Sequence, residues 1–86
     1  MRARVTILPR AEVLDPQGRA VQRALSGLGF AGVGDVRVGR IVDVTLDDGL
    51  TPADAQAEIE RMARELLANL VVEDFTVQWL PATGEA

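Results

Sequence analysis

Between Leu14 and Gly29 the chain spells out one amphipathic helix with both ends marked. Asp15 stands at the N-cap, where a carboxylate can take an orphan backbone N–H of the first turn. Pro16 follows at the first helical position, where its missing donor costs nothing and its fixed φ suits the helix. Val21, Ala24, Leu25 and Leu28 recur at i, i+3, i+4 and i+7, the mark of a single apolar stripe. Gly29 closes the segment as a C′ glycine, free to adopt the left-handed conformation. Gly18 breaks the rule. A glycine in the first turn costs about 0.5–1 kcal/mol against alanine, so its presence points either to a close neighbour or to a tolerated surface position. A helix with one apolar stripe covers one face of one layer, and this sets the architecture.

The rest of the chain supplies that layer. Ala3, Val5 and Ile7 alternate with Arg4 and Thr6, the period of a half-buried strand. Pro9 ends it, because proline cannot donate to a ladder. Arg10–Val13 is a loop, and Phe30–Gly34 is a glycine-studded turn. From Asp35 to Leu46, the residues Val36, Val38, Val42, Val44 and Leu46 share one parity, with Arg40 the polar exception on that register. Two readings fit: one long strand bent at Gly39, or a hairpin over Gly39–Arg40–Ile41 that sets Val38 opposite Val42. After a turn at Asp47–Gly49, Thr51–Pro52 repeats the cap-and-proline device. The second helix runs to about Ala68, burying Ala55, Ile59, Met62, Ala63, Leu66 and Leu67 and turning Gln56, Glu60, Arg61 and Arg64 outward. Asn69 reads as its C-cap. In the last strand Phe75, Val77 and Trp79 point inward while Thr76 and Gln78 point out. Pro81 breaks it, leaving residues 82–86 as a loose tail.

This order predicts an α+β fold. It is a two-layer sandwich of β-α-β(β)-α-β type, ferredoxin-like, with a mostly antiparallel sheet and two helices on one face. A chain of 86 residues makes one domain, here residues 1–81. It buries only about 60–65% of its unfolded surface. Small domains with an open sheet often complete their cores by oligomerising.

Composition removes most chemistry. With no cysteine and no histidine, disulfide frameworks, thiolate or imidazole metal sites and the usual nucleophile–base pairs cannot be assembled. A net charge of −4, with two Phe, one Trp and no Tyr, argues against nucleic acid. No apolar run is long enough to cross a bilayer and no signal peptide is evident, so a soluble, cytoplasmic chain is expected. Asp47–Asp48 and Glu73–Asp74 are paired carboxylates, but both sit beside turns, where acidic residues are ordinary. The glycines of Gly27–Gly34 lack a phosphate-loop signature and no helix opens after them. Neither catalytic nor metal-binding residues are expected in this chain.

Three strings nevertheless carry a family likeness. Leu14–Asp15–Pro16–Gln17–Gly18–Arg19–Ala20–Val21, then Val36–Arg37–Val38–Gly39–Arg40, then Leu66–Leu67–Ala68–Asn69 ahead of Glu73–Asp74–Phe75 resemble the PurS family. Its members are small subunits of bacterial and archaeal phosphoribosylformylglycinamidine (FGAM) synthase. The likeness spans residues 3–80 in order and spacing. Leu70 departs from the proline usual there, and the Arg10–Glu12 loop departs from a glycine-containing turn.

The resemblance implies a synthase split over three chains. A glutaminase releases ammonia, and a large synthetase uses ATP and Mg to activate the formamide oxygen of formylglycinamide ribonucleotide, which ammonia then displaces. The small subunit, as a homodimer or higher homo-oligomer, bridges the two and binds no cofactor of its own. On this reading Asp15, Gln17, Gly18, Arg37, Gly39, Arg40 and Asn69 form the partner interface. Gly18 would admit a partner backbone, Gly39 would allow the bend, and Arg37 and Arg40 would meet acidic groups on another subunit. Two rival classes share the topology: a module binding a small molecule at the start of the first helix around Asp15–Gly18, and a plain dimerisation domain.

Overall fold

β1 (Arg2–Pro9) is the middle strand of the sheet, and the reason lies in its alternation: Ala3, Val5 and Ile7 are wholly buried. The computed structural model describes residues 1–81, so the tail at 82–86 lies outside the described residues. β2 (Arg40–Thr45) and β3 (Glu73–Trp79) flank β1, both antiparallel, in the order β2-β1-β3. The register sets Val5 between Val42 and Val77, and Ile7 between Arg40 and Phe75. These side chains form the inner face. Arg4, Asp43, Gln78, Thr6, Ile41 and Thr76 share the outer face, where Arg4 donates to both carboxylate oxygens of Asp43 at 2.9 and 3.0 Å.

α2 (Pro52–Met62) covers the inner face. Thr51 caps it, its hydroxyl accepting the Asp54 N–H at 3.1 Å; Ala55 is fully buried, and Ile59 and the following Ala63 are fully buried in one cluster with Ala3, Val5 and Ile7 of β1. The helix does not stay α-helical to its end. Ala63–Leu67 forms a π-helical turn, closed by Ala68 N–H donating to the Ala63 carbonyl at 2.9 Å. The wider turn rotates the stripe. Leu66, expected in the core, is therefore 82% exposed, while Leu67 stays half-buried.

α1 (Pro16–Gly27) has the predicted ends: Asp15 and Pro16 at the start, and Gly29 at φ +101° after the last turn. Phe30 N–H donates to the Leu25 carbonyl and Gly29 N–H to that of Ser26, the paired bonds of a Schellman cap. Two helices and an antiparallel sheet make the expected α+β ferredoxin-like arrangement, but the core is built from α2 and the sheet, with no residue of α1 in it. Val21, Leu28 and Phe30 are all exposed, Leu28 to 74%. The radius of gyration is 16.4 Å, against about 12 Å for a compact domain of this length.

The segment Val36–Gly39 belongs to no strand, and β2 begins at Arg40. The hairpin alternative is thereby excluded, since Val42 pairs with Val5 and not with Val38. The long strand bent at Gly39 is likewise not formed, because only Arg40–Thr45 pairs with β1. A Cβ there would strike the Ile7 carbonyl oxygen, so only glycine lets the two backbones meet as β2 enters the sheet. Trp79, expected inside, sits at the rim at 37% exposure, its indole N–H donating to Gln56 Oε1 at 2.7 Å.

Candidate subunit interface

Six of the seven residues singled out in the sequence fall into two clusters, and the seventh, Gly39, packs against the Ile7 carbonyl of β1. The first gathers at the start of α1. Asp15 occupies the N-cap position but, against expectation, its side chain makes no capping hydrogen bond; its carboxylate instead accepts the Val38 N–H at 2.8 Å. That bond, followed by the amide of Gly18, holds the Asp15 carboxyl below the usual carboxylate range. Gly18 is the buried residue of α1, and a Cβ on it would strike the Val36 carbonyl oxygen. The close approach that Gly18 permits is thus made by this chain's own Val36, not by a partner backbone. Arg37 reaches back to donate to the Pro9 carbonyl, and Gln17 is exposed. Together these contacts fasten Val36–Val38 across the first turn of α1. The chain itself thus occupies part of the place that a ligand-binding module would use, beside cavities of about 240 and 140 Å³ that Gly18, Arg19, Asp35 and Val36 help to line.

The second cluster gathers at the end of α2. Arg40 stands on the inward register beside Ile7, and its guanidinium forks onto Glu73 at 2.8 and 3.1 Å while also donating to the Leu67 carbonyl. Glu73, 16% exposed, also accepts the Asn69 N–H at 2.8 Å. Arg40 and that N–H hold its carboxyl below the usual range. Asn69 organises the turn into β3 more than it caps the helix. Its side-chain oxygen accepts the Val71 N–H at 3.1 Å and its carbonyl accepts those of Val72 and Glu73. Arg40 is therefore already engaged within the chain, closing the carbonyl end of the π-helical turn as a cation does at a helix C-terminus. Glu73 is the member of this cluster that sequence reasoning set aside as an ordinary turn acid. Its signal was the four-residue spacing from Asn69.

Among the described residues, Leu14, Val21, Leu28 and Phe30 on and around α1 are exposed apolar side chains, and β2 forms one edge of the sheet. Because hydrogen-bonded pairs alternate along an antiparallel ladder, the Leu46 to Met1 bond fixes Val42 and Val44 as bonded to β1. Ile41 and Asp43 then aim their backbone groups outward. An amphipathic helix face without cover and a strand edge without a neighbour are each the kind of surface that another chain closes.

The fold defines a class: a small α+β ferredoxin-like domain with an exposed apolar helix face and open sheet edges. The comparisons with known proteins identify which. The family model for PurS, phosphoribosylformylglycinamidine (FGAM) synthase, matches residues 2–81, and the chain belongs to that family. It is 43% identical over 76 residues to the FGAM synthase subunit PurS of Mycobacterium leprae, covering 88% of this chain and 91% of that one. Its fold is similar to the crystal structure of Bacillus subtilis PurS at a TM-score of 0.76 and 35% identity, covering 90% and 94% of the two chains. A similar chain occurs in the structure of PurLQS from Thermotoga maritima, with a TM-score of 0.75, 26% identity, and 92% and 95% coverage.

Proposed function

We propose that this chain is the non-catalytic subunit that joins the synthetase and glutaminase of a three-chain FGAM synthase in the cytoplasm. The observation that carries the reading is the match of the whole folded region, residues 2–81, to a synthase-subunit family, in a chain whose sequence offers neither cysteine nor histidine for the chemistry. ATP and Mg belong on this reading to the synthetase, and glutamine hydrolysis to the glutaminase. This subunit supplies surface. A second copy covers the α1 stripe and the β2 edge, and the resulting dimer bridges the other two chains and helps enclose the path of ammonia. Gln17 and Arg37 are the interface residues with side chains at the surface near α1. Asp15, Gly18, Gly39, Arg40 and Asn69 shape that surface from beneath.

The test mixes this protein with the synthetase and glutaminase of the same organism and follows FGAM formation with glutamine as nitrogen donor. Synthesis that requires this chain, together with a ternary complex on a sizing column, is the expected result. Equal synthesis without it, and no complex, overturns the proposal.

A further inference from the structure

At the end of α2 two leucines compete for one place. The helix buries Ala55 and Ile59 along one line. Continued at about 3.6 residues per turn, it would bring Leu66, two turns past Ile59, back over that line. The π turn of Ala63–Leu67 winds more slowly, at about 4.4 residues per turn, and so delivers Leu67 there instead. Leu67 packs against the cluster of Ala3, Val5, Ile7 and Ile59, and Leu66 is left in solvent. Either winding buries one leucine. Apolar burial therefore does not choose between them.

Polar contacts that fit the π turn make the choice. Ala68 N–H reaches five residues back to the Ala63 carbonyl at 2.9 Å. The Leu67 carbonyl accepts from the Arg40 guanidinium, which forks onto Glu73 at 2.8 and 3.1 Å, and Glu73 accepts the Asn69 N–H at 2.8 Å. Arg40 opens β2 and Glu73 opens β3, so the pair pins residues 67–69 to the sheet from both sides of β1. Rewinding the turn as α-helix rotates this backbone and passes one residue into the following loop, which takes the Leu67 carbonyl and the Asn69 N–H off those partners. The loop has room for it, because its apolar residues Leu70 and Val71 are exposed and hold it to no core.

We propose that Ala63–Leu67 is a two-position switch with the Arg40–Glu73 pair as its latch. With the latch closed the turn is π-helical and presents Leu66 at the surface. With the latch open it rewinds as α-helix, drawing Leu66 into the core and turning Leu67 to the rim. The apolar surface at this end of α2 is thus set by an ion pair and not by the core. The inference stands on packing within the chain and is independent of the bridging reading.

The chain has no cysteine, so Leu66→Cys and Leu67→Cys each place a single thiol whose rate of modification by a maleimide reports its exposure. In the otherwise unchanged full chain the thiol at position 66 is expected to react about tenfold faster, or more, than that at position 67. Glu73→Gln opens the latch and is expected to reverse the order, slowing position 66 and speeding position 67, with the circular dichroism spectrum kept. Deleting Leu66 removes the extra residue, so that an α-helix delivers Leu67 to the core. In that background Leu67→Cys is expected to stay slow with or without Glu73→Gln. If Glu73→Gln speeds both thiols together, the helix end only frays and the proposal is overturned. Unchanged rates in Glu73→Gln overturn it too, as does a Leu67→Cys thiol that reacts as fast as the Leu66→Cys thiol in the unaltered chain. Arg40→Met repeats the measurement with the apolar stem kept. If neither latch variant folds, the pair is a structural brace and the switch is refuted.

Discussion

Replacing Gly18 by alanine isolates the contact that fastens the Val36–Val38 segment to α1. On an isolated helix the change helps, since alanine is favoured over glycine by about 1 kcal/mol. Here the new Cβ meets the Val36 carbonyl oxygen and the Asp15 carboxylate together. The carboxylate can swing aside, but a backbone carbonyl cannot, so the Val36–Val38 segment has to withdraw. Overpacking of this kind costs about 1–3 kcal/mol. With the obstruction lying in backbone, the upper part of that range applies, and subtracting the helix gain leaves a net loss of about 1–2 kcal/mol. At roughly 4–8 °C per kcal/mol for a domain this small, Tm falls by roughly 4–16 °C. Gly27→Ala is the internal control, because nothing lies within 4 Å of a Cβ at that helical position. It is expected to hold or raise Tm. Both variants are to be melted by circular dichroism at one protein concentration, since oligomerisation makes Tm concentration-dependent. Gly18→Ala melting at or above the wild type would refute the account of Gly18 as the site of a forced backbone approach.

Three further outcomes follow from named contacts. Asp15 has a folded pKa below its unfolded value, so its stabilisation is complete above about pH 4 and is lost as pH falls through the lower folded value. Asp15→Asn is expected to narrow the difference between Tm at pH 7 and at pH 3, and an unchanged difference would remove Asp15 from the acid response. Val21→Glu or Leu28→Glu on the exposed stripe is expected to leave the monomer folded but weaken self-association about 10–100-fold, the equivalent of about 1.5–3 kcal/mol of apolar burial. Sedimentation equilibrium reads it, and an unchanged dissociation constant would show that the stripe is not buried in the dimer. Thr51→Ala removes the acceptor of the Asp54 N–H and is expected to cost about 1 kcal/mol in urea titration, with a loss under a few tenths counting against the cap.

The elements most legible in the sequence were those whose partners are local. The Schellman end of α1 needs only Gly29 and its neighbours, and the Thr51 cap needs only Asp54 three residues on, so both could be read directly. β1 and β3 were legible because period-2 alternation encodes a face without naming what covers it. What could not be read was set by contacts distant in sequence. Asp15 was assigned to capping by the rule for its position, but a backbone N–H at Val38, 23 residues away, makes the closer bond. Arg40 drew notice as a cation on an apolar register and was assigned outward to another subunit, because the carbonyl end of α2 and Glu73, 33 residues on, lie nowhere near it in the sequence. Leu66 followed the 3.6 period into the core, and a single π turn undid it.

The fate of the α1 stripe has a different origin. Its periodicity was right and its floor was not. A stripe states that a helix is to be covered, and nothing in the spacing says by which chain. In a chain this short, α2 alone fills the inner face over β1, while Asp15 and Gly18 tie the Val36–Val38 segment to the start of α1 and Arg37 ties it to Pro9 at the end of β1. The contacts that a sequence reader would assign to a partner are thus made within the chain, and the surface left over is the apolar one. On the proposed function, polar residues at this candidate interface set the shape of the docking surface, and the Val21–Leu28 stripe and the open strand edges supply its adhesion.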